Sequence, residues 1–327
     1  MDKPDGQANR VTASADGIRA FSRSAVSFVA LGLILFVGTF LASEWLIYEN
    51  AQRNRFFAVK TAPFVRSDFV ILGASHAAVF DYRNMNARLE EMTGAEILNL
   101  ATLGSGVAVN RLLLEYFFLE HETDAVVYVL DSFGFYSDAW NEERLRDREL
   151  YARAPWDPRL GLLLLRHPGA RSMALDYMSG FSKVNNPDRF APDVFEAEAS
   201  RFDRTYRAIP QIDRQRLRFL YPDEINETTL LESPYLAAFE DLLRYVQARG
   251  SRFIVVRPPV PERVYSELPG ESTFDETIRA LVERHGAEFH DFSRVANEPE
   301  FFYDTDHLNE AGVLNFFERY FSDVLVL

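Results

Sequence analysis

The residues best suited to chemistry fall in three short stretches: Ser75 in "FVILGASHAAVFDY", Gly104 in "NLATLGSG", and Asp304 with His307 in "FFYDTDHLNEAG". A serine becomes a nucleophile when a base takes its proton, a third group orients that base, and hydrogen-bond donors receive the developing oxyanion. His307 has the type and position of the base. Asp304, three residues earlier, can fold back in a turn and fix the imidazole tautomer. The oxyanion donors expected are the backbone N–H of Ser75 and an N–H from the loop of Gly104, where a residue without Cβ lets backbone approach a ligand.

Each candidate also has a plainer reading. Ser75 after a strand is a common helix cap, but in combination with Gly104, Asp304 and His307 the nucleophilic reading is the better one. His76 follows the serine on a tight turn, which directs it away from the reacting atoms, so it reads as a site-lining or capping residue. Asp131 and Ser132 are further site-lining candidates. His121, His167, His285 and His290 have no convincing partners. Asp304, Asp306 and His307 supply too few clear ligands for a zinc site, so no metal and no cofactor is expected. An α/β-hydrolase elbow is disfavoured, because its serine lies well into the sheet and its acid and histidine are far apart in sequence.

The elements that must position these residues follow from hydrophobic patterning. "SDFVILG", "AEILNL", "DAVVYVL", "SRFIVVRPPVP" and "AEFHDFS" read as strands with near-continuous apolar runs. Helical patterns separate them: "HAAVFDYRNMNARLEEMTG" ending at Gly94, "VAVNRLLLEYFFLEH", "SPYLAAFEDLLRYVQARG" with Ser233 as N-cap and Gly250 as C-cap, "TFDETIRALVERHG" with Thr273 and Glu276 in capping-box spacing, and "NEAGVLNFFERYFSDVL". This order predicts an α/β fold, a parallel sheet between two helical layers. Residues 132–230 break the pattern and read as an insertion. Its run "LGLLLLRHPG" is expected to be a buried helix in preference to a membrane-dipping one, and "NNPDRFAPDVF" is punctuated by prolines. The insertion's arginines, Arg144, Arg146, Arg148, Arg153 and Arg159, are expected mostly to pair with neighbouring acids.

The whole chain narrows the possibilities. Its 327 residues carry 49 acidic against 35 basic side chains, a net charge of −14, which argues against nucleic acid as a partner. Cysteine is absent, so disulfides and thiolate chemistry are excluded. Residues 25–47 form an apolar run interrupted only by Glu44, long enough to span a bilayer and without a clear cleavage site. The expected organisation is a disordered cytoplasmic tail (1–24), a transmembrane helix (25–47), a juxtamembrane linker (48–66) and a main domain (67–327) on the periplasmic or extracellular side. Lys3, Arg10, Arg19 and Arg23 ahead of the span against Arg53, Arg55 and Lys60 behind it give that orientation.

With these residues in place, the sequence resembles the SGNH (GDSL-like) hydrolases over most of the chain beyond the apolar run. "GASHA" resembles the serine block, "NLATLG" the second block, and "DTDH" the Asp-x-x-His block, while "FIVVRPPVP" is similar to the strand before the last helical unit. Ala74 stands where the family usually has aspartate, and "VLDSFGFYSD" lacks the family's third-block asparagine donor. The resemblance implies a flavodoxin-like three-layer fold. With the anchor and insertion, it implies the envelope acyl-transfer branch, which includes proteins of alginate acetylation and teichoic acid D-alanylation. It further implies a membrane-bound O-acyltransferase as donor partner and a polysaccharide or glycan acceptor. Ester hydrolysis and a non-catalytic docking role are the alternatives.

Overall fold

The computed structural model describes residues 6–51, 53–186, 194–226 and 228–326. Its architecture follows from alternation along β1 (Arg66–Leu72). Phe69 and Ile71 point to one side and Val70 and Leu72 to the other, and all four are fully buried, so both sheet faces must be covered. β1 pairs with β2 (Ile97–Asn99) and β3 (Glu122–Val129), β3 with β4 (Arg252–Arg257), and β4 with β5 (Glu288–Asp291), every pair parallel. The order β2-β1-β3-β4-β5 is flavodoxin-like. Because the connections run in opposite directions from β1, a crevice opens beyond the C-terminal ends of β1 and β3, where such sheets bind ligands.

The helices that bear on the site and the anchor, in chain order, are α1 (Gly6–Asn50), α2 (Arg55–Thr61), α3 (Ser75–Ala78), α4 (Met85–Thr93), α5 (Val107–Phe117), α6 (Pro158–Arg166), α7 (Arg171–Met178), α8 (Phe181–Val184), α9 (Pro210–Leu220), α10 (Pro234–Gln247), α11 (Glu271–Arg284) and α12 (Glu310–Phe316), with other short helices between some of them. α5, α10 and α11 cover the Val70 face, and α3, α4 and α12 the Phe69 face. Among the described residues no strand interrupts the stretch from β3 to α10, which carries α6 to α9. Leu160, Leu163 and Leu164 of α6 are buried in the Val70-side core. At about 1.5–3 kcal/mol for each buried leucine, this packing outweighs a membrane-dipping role for "LGLLLLRHPG". Residues 187–193 of "NNPDRFAPDVF" lie outside the described residues.

Three local expectations change. The helix expected after Ser75 is broken: Tyr82 is extended, and Arg83 and Asn84 have φ of 48° and 63°. The reversal buries the Tyr82 ring edge-on against Phe195 and Phe202. α11 starts at Glu271 behind Gly270, whose φ is +67°, so Thr273 lies inside the helix and caps nothing. α1 begins at Gly6, so residues 6–24 continue the helix where an unstructured tail was expected; residues 1–5 lie outside the described residues. Ser233 caps α10 as anticipated, accepting from Tyr235 N–H at 3.1 Å, although that helix ends at Gln247, three residues before Gly250.

Among the described residues one helix, within α1, is long and apolar enough to cross a membrane. Glu44, the lone acid of the apolar run 25–47, is partnered: it pairs with the wholly buried Lys183 ammonium, which also donates to Ala154 O, and accepts the Trp156 N–H at 2.9 Å. Beyond Asn50 the chain turns back into α2, and Tyr48 meets Phe57 at 5.4 Å. α2 delivers Arg55 to the site end of the sheet, where Nε donates to Ala101 O at 2.8 Å and Nη1 meets Asp81 at 2.7 Å.

Candidate functional site

The loops after β1 and β2 are tied together by backbone and asparagine contacts. Leu100 N–H donates to Ile71 O, and Thr102 N–H to Gly73 O. Asn110 Oδ1 accepts the Gly73 N–H at 3.1 Å, and Asn99 Nδ2 donates to Ala77 O at 2.9 Å. Gly73 has φ of +145°, and a Cβ there would fall 2.7 Å from Val129 O, so the turn from β1 into α3 requires glycine. This turn sets Ser75 as the first residue of α3, buried at 9% exposure. Among the described residues, the N–H groups of Ser75 and Gly104 donate to no acceptor in the chain, leaving two donors for a ligand oxygen. Gly104 has φ of +61° and lies against the Trp140 ring.

The fourth loop carries Asp304 and His307. Asp304 accepts the N–H of Asp306 and of His307, and both of its oxygens lie 2.9 Å from His307 Nδ1. Nδ1–H donates to this carboxylate, so Nε2 keeps its lone pair, the tautomer a general base requires. Burial opposes ionisation of Asp304, but His307, through its ring and its backbone N–H, and Arg216 hold it well below the ordinary carboxylate range. His307 is sandwiched between the His76 ring at 4.7 Å and the Tyr303 ring at 5.6 Å.

Two residues here make contacts that could not be anticipated from local sequence. His76 Nδ1 meets Asp131 Oδ1 at 2.5 Å, and its Nε2 meets Asp306 O at 3.1 Å. The residue after Ser75 is thus a strut between the β3 loop and the Asp304–His307 loop. From the insertion, Arg216 of α9 reaches Asp306 at 3.2 Å and places Nη2 3.5 Å from His307 Nε2. Among the described residues Ser75 Oγ has no hydrogen-bond partner, and it is this arginine that faces Nε2. Ser132 turns elsewhere: Oγ donates to Glu271 at 2.8 Å and meets Tyr221 OH at 2.7 Å. Ala74, at the position that carries aspartate in the resembling family, packs with Phe133, Trp140 and Leu220 into an apolar corner beside Ser75.

His76, Asp306 and His307 also bring possible metal-ligand atoms within 4.8 Å of one another. Arg216 already neutralises Asp306, and the His76 nitrogens are bound to Asp131 and Asp306 O, so this donor set does not fit a cation.

His76 carries a pH signature. Burial disfavours its charge, yet Asp131 and Asp306 overcome this and raise the imidazole from 6.5 to about 9. The charged form therefore contributes stability that is fully present below pH 6.5 and is lost as pH rises through 9, about 3 kcal/mol in all. His76→Gln should remove this slope. Urea unfolding of both proteins from pH 6 to 9.5 should show the wild-type advantage shrinking by about that amount; parallel curves would mean that His76 is neutral.

A flavodoxin-like sheet with a serine at the β1 turn and an Asp-x-x-His loop before the closing helix is an arrangement similar to that of the SGNH-like hydrolases. A family model described as DltD protein matches residues 217–319. The matched stretch runs from the end of α9 through β4, β5 and the Asp304–His307 loop into the segment after α12, about a third of the chain, and supports this broad kinship. No curated protein matches the chain.

Proposed function

We propose that the protein transfers an acyl group, such as acetyl, to a hydroxyl of an extracytoplasmic polysaccharide or envelope glycan through a Ser75 ester. The observation that carries this reading is the pair of half-buried Asp304 and buried His307 at 2.9 Å, in the loop that packs on the Ser75 turn. Ser75 Oγ attacks the acyl carbonyl while His307 Nε2 takes its proton, and the Ser75 and Gly104 N–H groups receive the oxyanion. The leaving group departs with the proton from His307. The acceptor hydroxyl then gives its proton to Nε2 and attacks the ester, and Ser75 recovers its hydrogen. Arg216 must move off Nε2 for either step.

The DltD match and the resemblance to envelope acyl-transfer proteins support a membrane-bound O-acyltransferase as donor partner, with the chain anchored in the inner membrane and its domain outside. The anchor supports this geometry. Asn50 lies about 9 Å of helix rise beyond Glu44, and Arg55, a few residues on, already touches the Ala101 loop, so Ser75 works close to the bilayer. The test separates transfer from ester hydrolysis. Acetylated full-length protein should release its acetyl group slowly in buffer and at least tenfold faster with a polysaccharide acceptor, with acetyl recovered on the sugar. Rapid loss to water, unaffected by acceptor, would identify an esterase.

A second reading is a docking subunit without catalysis, favoured by the unbonded Ser75 Oγ and by Arg216 at the base. Under it, Ser75→Ala would leave polymer modification in cells intact.

A further inference from the structure

The corner of the insertion formed by α7 and α8 is bound to the membrane helix at a depth that lipid should reach. α8 begins after Gly180, whose φ is +75° and where a Cβ would fall 2.5 Å from the Phe40 ring. Phe40 lies inside the apolar run, about 10 Å of helix rise before its end at Ile47. Arg23 is the last cation before that run, and a hydrocarbon core of about 30 Å takes up roughly 20 residues of helix from there, ending near Ser43 and Glu44. The Lys183–Glu44 pair and the Trp156 N–H bond to Glu44 hold the corner at this level.

The same corner exposes large apolar side chains. Leu175 is 75% exposed, Phe181 48% and Trp156 40%, whereas Ala174 and Tyr177 of α7 point into the core. Arg148, paired with Asp176, lies 5.9 Å over the Phe181 ring and supplies a cation where headgroups begin. Aromatic rings with a flanking cation beside a spanning helix have the composition of an interfacial seat.

We propose that this corner is seated in the outer-leaflet interface of the bilayer, with Leu175, Phe181 and Trp156 in lipid, so that the domain rides at a fixed height and tilt on the membrane. The inference rests on α1 spanning the membrane and does not require Ser75 to be catalytic.

The chain has no cysteine, so single cysteines can carry a nitroxide without background. Leu175→Cys and Phe181→Cys would be labelled in the full chain and reconstituted in phosphatidylcholine–phosphatidylglycerol vesicles. Leu35→Cys, in the span, and Leu231→Cys, exposed near the start of α10 at the site end of the sheet, serve as references. Collision with oxygen and with a water-soluble nickel chelate should place labels 175 and 181 about 5–10 Å below the headgroups, with label 231 in water. Labels 175 and 181 as open to the chelate as label 231 would overturn the proposal. Shielding from both reagents would also overturn it, since protein would then cover the corner. A label at 35 that is itself open to the chelate would instead defeat the anchor on which the proposal rests.

Discussion

Replacing Asp304 with asparagine is expected to lower acylation of Ser75 by about 10⁴-fold while leaving the fold intact. The carboxylate accepts Nδ1–H at 2.9 Å and also holds two backbone N–H groups, so it fixes both the shape of the loop and the tautomer of His307. Asparagine can keep the turn through its carbonyl oxygen. Its amide, however, donates toward Nδ1, which moves the proton to Nε2 and removes the lone pair that must accept from Ser75. Single-turnover acylation by an activated ester, read beside near-ultraviolet circular dichroism, checks this. A loss below tenfold with native circular dichroism would mean that His307 does not serve as the base.

The second large effect lies far from the chemistry. Glu44→Leu makes the apolar run more hydrophobic, yet it is expected to destabilise the domain by about 3–5 kcal/mol, because it strands a buried ammonium. Lys183 is fully enclosed; burial lowers its pKa despite the opposing pull of Glu44, to about 8. Without Glu44 it escapes by losing its proton; since the wild type already bears the fall from near 10.5 to about 8, this adds about 1.4 kcal/mol at pH 7, and the rest of the loss is the bonds Glu44 makes to the ammonium and to the Trp156 N–H. The deficit should therefore shrink as pH rises from 7 through about 8, where the wild-type ammonium itself loses its proton. Thermal unfolding in detergent should fall by about 10 °C at pH 7, and adding Lys183→Met should restore most of it. An unchanged midpoint would show that the pair contributes nothing to the fold.

Much of this site is legible in the sequence because its parts are local. The Asp304–His307 pair spans three residues, and glycine at 73 and 104 marks where backbone must come close or take positive φ. The five strands are equally plain, since a sheet covered on both faces leaves continuous apolar runs such as "FVIL" and "AVVYVL". What escapes is non-local. His76 and Asp131 lie 55 residues apart and meet only because β1 and β3 are neighbours across the crevice, and no pattern in either segment encodes the other. Arg216 comes from an insertion without strand periodicity and resembles its other arginines until α9 is folded over the base. Ser132 looks available beside the site, but its hydroxyl is taken by Glu271, 139 positions later. Glu44 reads as a blemish in a span until Lys183 is seen beside it.

The central claim is that Ser75 is an activated nucleophile, and intact-mass spectrometry tests it most directly. Full-length wild type and Ser75→Ala would each be exposed briefly to a serine-directed phosphonate and, separately, to an activated acetyl ester. The account predicts one covalent adduct on the wild type with each reagent, mapped to the peptide containing "GASHA", and none on the variant. A folded wild type that takes neither label, or a Ser75→Ala protein labelled equally well, would contradict it.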